Sequence, residues 1–115
     1  MSTRDVRVTV RGAFDGLTPA QRAELLAEQA GHDFLQTVYR PEGHLTYDIA
    51  ARPFFTFRFA GTAGSDAEVE DAAIRAQLAA EAWLTARGYG YRNVTAQAVD
   101  MSQVPMGARG RRRSR

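Results

Sequence analysis

The chain predicts an α+β domain, an antiparallel sheet with two helices on one face, and three observations predict it. Period-two apolar stretches alternate with two capped helical stretches in the order strand, helix, strand, strand, helix, strand. The valine stretch Val6-Val8-Val10 and the phenylalanine stretch Phe55-Phe57-Phe59 are the two most apolar strands. Two right-handed crossovers would set those two, the first and third strands, at the sheet's centre. Together these make the split βαβ signature of the ferredoxin-like βαββαβ sandwich.

Each element has its own warrant. Val6, Val8 and Val10 alternate with Arg7, Thr9 and Arg11, which gives one buried and one wetter face. Gly12 and Gly16 bracket a loop into Leu17-Thr18-Pro19-Ala20-Gln21, where Thr18 caps, Pro19 takes the first helical position and Gln21 completes a capping box. The first helix is expected to run to Gly31 as a left-handed C-cap, with an apolar stripe of Ala23, Leu26, Ala27 and Ala30 and Leu25 alongside. Residues 33–40 (DFLQTVYR) read as a second strand with mixed faces, suited to an edge, and Pro41-Glu42-Gly43 as the hairpin turn after it.

Leu45, Tyr47 and Ile49 alternate beyond that turn, and Phe55, Phe57 and Phe59 resume after Pro53. Proline lacks the donor a ladder needs, so 44–60 is either one bent strand or two. Ser65-Asp66-Ala67-Glu68 is a second capping box with acids crowding the positive end of the dipole. Val69, Ala73, Ala76, Ala80, Trp83 and Leu84 follow helical spacing to a stop at Arg87-Gly88. Residues 89–101 supply the last strand, with Val94, Ala96 and Ala98 inward, and 1–104 form one domain ahead of a tail at 105–115.

Composition excludes several chemistries. There is no cysteine among 115 residues, hence no disulfide, thiolate metal site or thiol nucleophile. No window approaches the roughly 18 apolar residues of a membrane span, and no signal-like apolar segment opens the chain, so a cytoplasmic, membrane-free protein is expected. Every basic residue is arginine, and five of the fifteen fall in the closing RGRRRSR. Ahead of that closing segment, ten arginines face all thirteen acids, so the domain is slightly acidic and the basic balance belongs to the tail. A tail of charge and glycine has nothing to bury and is expected to be disordered. Arg109, Arg111, Arg112, Arg113 and Arg115 are its candidates for sequence-independent contact with nucleic acid.

Parity sorts the remaining candidates. With both helices over Val6, Val8, Val10, Phe55, Phe57 and Phe59, the opposite face carries Arg7, Thr9, Arg11, Phe54, Thr56, Arg58, Thr95, Gln97 and Val99. A homodimer interface on this uncovered face leads, with an anionic or polar small ligand on Arg7, Arg11 and Arg58 beside it. Arg52 at the Pro53 bend either locks it against Asp48 or projects to an anion. An RNA platform of this topology stacks bases on aromatics of the central strands, and only Phe54 is so placed. His44 and Tyr47 are the weak catalytic candidates, a near-neutral imidazole close to a phenol and Asp48, for a cofactor-independent enzyme of the dimeric α/β-barrel type. His32, just past a helix end, reads as structural. Two scattered histidines argue against a metal, and no cofactor is expected. Acylphosphatase-like hydrolases cradle phosphate in a glycine-bearing loop with an arginine, a spacing Gly12–Gly16 does not reproduce. A non-enzymatic binding module is therefore the leading expectation.

The segments VRVTVRGAFDGLTPAQRAELL, YRPEGHLTYDIAARPFFTFRF and AEAWLTARGYGYRNVTAQAVDMSQVPMGARGRR resemble a family of small uncharacterised proteins of high-GC bacteria, Domain of Unknown Function 6204. The likeness spans nearly the whole chain. It implies a self-contained domain and brings no activity, ligand or site residue with it.

Overall fold

A computed structural model of the chain describes residues 3–32 and 38–103. Strands β1 (Arg4–Phe14), β2 (His44–Tyr47), β3 (Phe54–Ala63) and β4 (Tyr91–Asp100) form one antiparallel sheet in the order β2-β3-β1-β4. Helix α1 (Pro19–Glu28) lies between β1 and β2 in sequence, and α2 (Asp66–Ala86) between β3 and β4. As expected, the valine and phenylalanine strands are central, with Val8 opposite Phe59 and Val10 opposite Phe57. Their buried side chains join Leu25 of α1 and Ala76, Ala80 and Leu84 of α2 in one core on one sheet face. The alanines of α2 let its backbone lie close to the sheet, and Trp83 fixes its far end edge-on to Phe57 at 5.7 Å.

The helix ends follow their capping chemistry with one change. Thr18 and Gln21 form the complete reciprocal box. Ser65 accepts from the Glu68 N–H at 3.2 Å, but Glu68 reaches one residue further back and accepts from the Gly64 N–H at 2.7 Å. The second box is thus only half a box. At the other end Gly88, with φ +71°, turns the chain so that the Tyr89 N–H reaches the Leu84 carbonyl at 3.0 Å.

Four expectations are corrected or resolved by the structure. The proposed strand at 33–40 lies partly outside the described residues, and of the remainder only Arg40 pairs with the sheet, through a single parallel bridge to Phe59. The edge strand is β2 instead. The Tyr39 side chain turns toward the outer sheet face, its hydroxyl 3.3 Å from the Thr9 hydroxyl. The turn at 41–43 does form, closed by the Gly43 N–H on the Arg40 carbonyl at 3.0 Å. Gly43 has φ +90°, and a Cβ there would fall 2.5 Å from the Phe59 ring. Secondly, 44–60, open between one bent strand and two, is two strands, parted by a turn in which the Asp48 carbonyl accepts from the Arg52 N–H at 2.9 Å.

Thirdly, Gly12 belongs to β1, where the register against β4 shifts between Arg11 and Ala13. Two residues of β4, Asn93 and Val94, oppose Gly12 there, and Asn93 takes the extra residue's strain at φ 56°. Fourthly, α1 stops before Gly31, passes into a 3-10 turn over Gln29–His32, and exposes Ala23, Leu26, Ala27 and Ala30. Leu25 is its buried residue. The inner side of α1 is otherwise polar: Gln21 donates to the Gly88 carbonyl at 2.9 Å, and Glu24 accepts from the Tyr89 hydroxyl. A polar inward face leaves no trace in an apolar stripe.

Candidate functional site

The outer sheet face is built from the residues of β1 and β3 that alternate with the core. Arg58 stands directly opposite Thr9, and Arg7 and Arg11 flank Thr9 two residues away on either side. Diagonal cross-strand neighbours of this kind lie about 7–8 Å apart, within reach of long side chains. The three arginines therefore share one patch of the outer face around Thr9. Two of them are held in place: Arg58 donates to the Thr46 hydroxyl at 2.8 Å, and Arg7 lies over the Tyr39 ring at 5.0 Å. Arg11 projects from between Thr56 and Thr95. Among the described residues, ion pairs form only at Arg4, with Asp66 and Asp100, and no carboxylate comes within pairing distance of Arg7, Arg11 or Arg58. Like charges gathered without acids repel, which makes the face a standing attraction for an anion.

Apolar side chains frame the arginines. Phe54 is 51% exposed and Val99 39% exposed on the same face. Arg52 stands apart from the triplet, lining with Asp48, Ala51 and Phe54 a hollow of about 330 Å³ at the sheet's end. Among the described residues Arg52 makes no ion pair with Asp48, whose carboxylate instead accepts from the Ala51 N–H at 3.3 Å.

His44 and Tyr47, placed on one strand by the sequence, part company. Tyr47 is buried in the core, its hydroxyl donating to the Leu25 carbonyl at 2.6 Å, and burial pushes its pKa up to about 12. His44 alternates to the other side of β2, opposite Arg58, at the sheet's edge. On the other, core side of the sheet, a cavity of about 400 Å³ lies between the 41–43 turn, the 3-10 turn and α2, with His44 on its border. Phe57, Phe59 and Trp83 form its apolar wall, and His32 and Glu42 supply its polar side chains. A narrower hollow of about 230 Å³ along α2 shares Phe59 and Ala79 with it.

His32 is the residue whose importance the sequence understated. Its ring stacks on Tyr47 with centroids 5.2 Å apart, and its Nδ1 lies 2.9 Å from the Leu45 carbonyl. A carbonyl only accepts, so Nδ1 carries the hydrogen, and in the tautomer with its one hydrogen there Nε2 is the acceptor. A helix-end histidine 13 residues from its partner carbonyl gives no local sequence signal. Among the described residues, no three His, Asp or Glu side chains gather closely enough to hold a metal ion. The tail arginines 109, 111, 112, 113 and 115 lie outside the described residues, and no described helix is long and apolar enough to cross a membrane.

A family model described as a family of unknown function (DUF6204) matches residues 1–112. Comparison with curated proteins and with solved structures yields no match.

Proposed function

The chain belongs to this family of unknown function, and from that premise we propose a small cytoplasmic binding protein of ferredoxin-like topology that takes an anionic small molecule on its outer sheet face. The topology is supported by the order β2-β3-β1-β4 with one helix between β1 and β2 and one between β3 and β4. The single observation that carries the function is the register of Arg7, Arg11 and Arg58 around Thr9 without a carboxylate partner among the described residues. Guanidinium groups donate in a planar fork that suits carboxylate and phosphate oxygens, and Thr9 adds a hydroxyl at the centre.

Self-association uses the same face. A two-fold interface brings the same patch of both copies together, so two copies meeting here oppose their arginines while Phe54 and Val99 supply apolar contact. An anion held between them removes that repulsion. The dimer is therefore expected to tighten when the anion binds.

Titration of the full chain with pyrophosphate tests the reading. Saturable amide shifts centred on β1 and β3 are expected, weakened about tenfold or more in Arg11→Ala and Arg58→Ala, since a charge-assisted bond contributes about 1.5–3 kcal/mol. Light scattering with and without pyrophosphate then reads the association. A clean monomer at micromolar concentration in both cases sinks the dimer, and the lack of a saturable shift sinks the ligand.

A further inference from the structure

We propose that the cavity under Trp83 is a second binding site, distinct from the arginine face, for a small uncharged aromatic alcohol of the phenol class, whose hydroxyl donates to His32. Three features select that chemistry. The volume, about 400 Å³, is in the range of small-molecule sites. Its wall is aromatic: Phe57 and Phe59 lie with near-parallel rings 6.3 Å apart, and Trp83 meets Phe57 at 72°. Such a wall receives a flat ring by stacking or edge contact. Gly43 makes the wall possible, because any side chain there would occupy the space of the Phe59 ring.

The polar groups decide the rest. His32 is oriented from two sides, by stacking on Tyr47 and by the Leu45 carbonyl, and in the tautomer with its one hydrogen on Nδ1 it offers Nε2 as an acceptor. An acceptor on an apolar wall calls for a ligand with a hydroxyl donor. The Glu42 carboxylate, exposed at the rim, disfavours an anion. The preference for an uncharged ligand thus differs from the anion preference of the arginine face, so one site can fail while the other stands.

The test uses p-cresol and toluene, which share a ring and a methyl group and differ by the hydroxyl. Trp83 is the only tryptophan of the chain, so its indole N–H gives a single resonance at the site. That resonance should shift saturably with p-cresol, and p-cresol should bind about tenfold more tightly than toluene, the worth of one uncharged hydrogen bond. His32→Phe keeps a ring on Tyr47 but removes the acceptor, and should bind the two alike. Ala79→Phe, placed at an exposed helix position that borders the cavity, should fill it and lose both ligands while the fold persists. Arg11→Ala should bind p-cresol like the parent chain. No saturable shift with p-cresol, equal binding of toluene by the parent chain, a hydroxyl preference kept by His32→Phe, or undiminished binding by Ala79→Phe would each overturn the proposal.

Discussion

Single atoms decide much of this molecule at Gly43 and Tyr47. Gly43 sits at φ +90° against the Phe59 ring, so Gly43→Ala combines left-handed strain with a clash. The strain alone costs about 1–2 kcal/mol, and urea unfolding should show a loss at least that large. Tyr47 donates from the core to the Leu25 carbonyl. Tyr47→Phe leaves that carbonyl unsatisfied, and a loss of about 1–3 kcal/mol is expected from the same measurement. The phenol also sets a pH dependence. Its folded pKa of about 12 stands above the ordinary 10, raised first by burial and then by Glu28. The folded state therefore favours the protonated form: the stabilisation is complete below pH 10 and is lost as pH rises toward 12. Burial also pushes the Tyr89 phenol up, so Tyr47→Phe should reduce the slope of stability against pH in that window without abolishing it.

Among the elements, the two helices differ in how they are held. Helix α2 buries a row of small residues and Leu84, and its apolar spacing announces it. Helix α1 has 10 residues and one buried side chain, so its cap and polar ties matter more. Thr18→Ala should cost about 1 kcal/mol, and amide exchange should show the loss of protection concentrated in α1 rather than α2. Leu25→Ala should cost about 2–5 kcal/mol, the range for emptying a packed leucine site. Equal protection of both helices in Thr18→Ala would show that the cap contributes nothing. The strand boundaries moved for a similar reason: Pro41, Gly43 and Pro53 mark where chain direction changes, but they do not say whether 38–40 pairs with the sheet. The single bridge at Arg40 decides that.

Over the whole molecule, charge is divided between a slightly acidic domain with a basic sheet face and a tail of five arginines. The nucleic-acid proposal belongs to that tail. If it holds, a chain ending at Met106 should lose binding to single-stranded RNA at low salt, and the full chain should show steep salt dependence. Equal binding by the two forms assigns the contact to the domain or removes it. The arginine face predicts the contrary pattern for pyrophosphate, which both forms should bind alike.

Alternation by itself determined which residues of β1 and β3 face the core and which face outward, because side-chain period in a strand is two and admits no other sorting once one face is buried. Arg7, Arg11 and Arg58 could therefore be placed together from the sequence. Only the tertiary structure decided that Tyr39 would cover part of that face, that Tyr47 would be sealed in the core while His44 reached the edge, and that His32 would stack on Tyr47 beside a cavity. These depend on where α1 ends and where the 41–43 turn sends the chain, and both are settled by contacts between residues far apart in sequence, Tyr47 with Leu25 and His32 with Leu45. Local pattern carries the period of an element. It does not carry the partner that stops it.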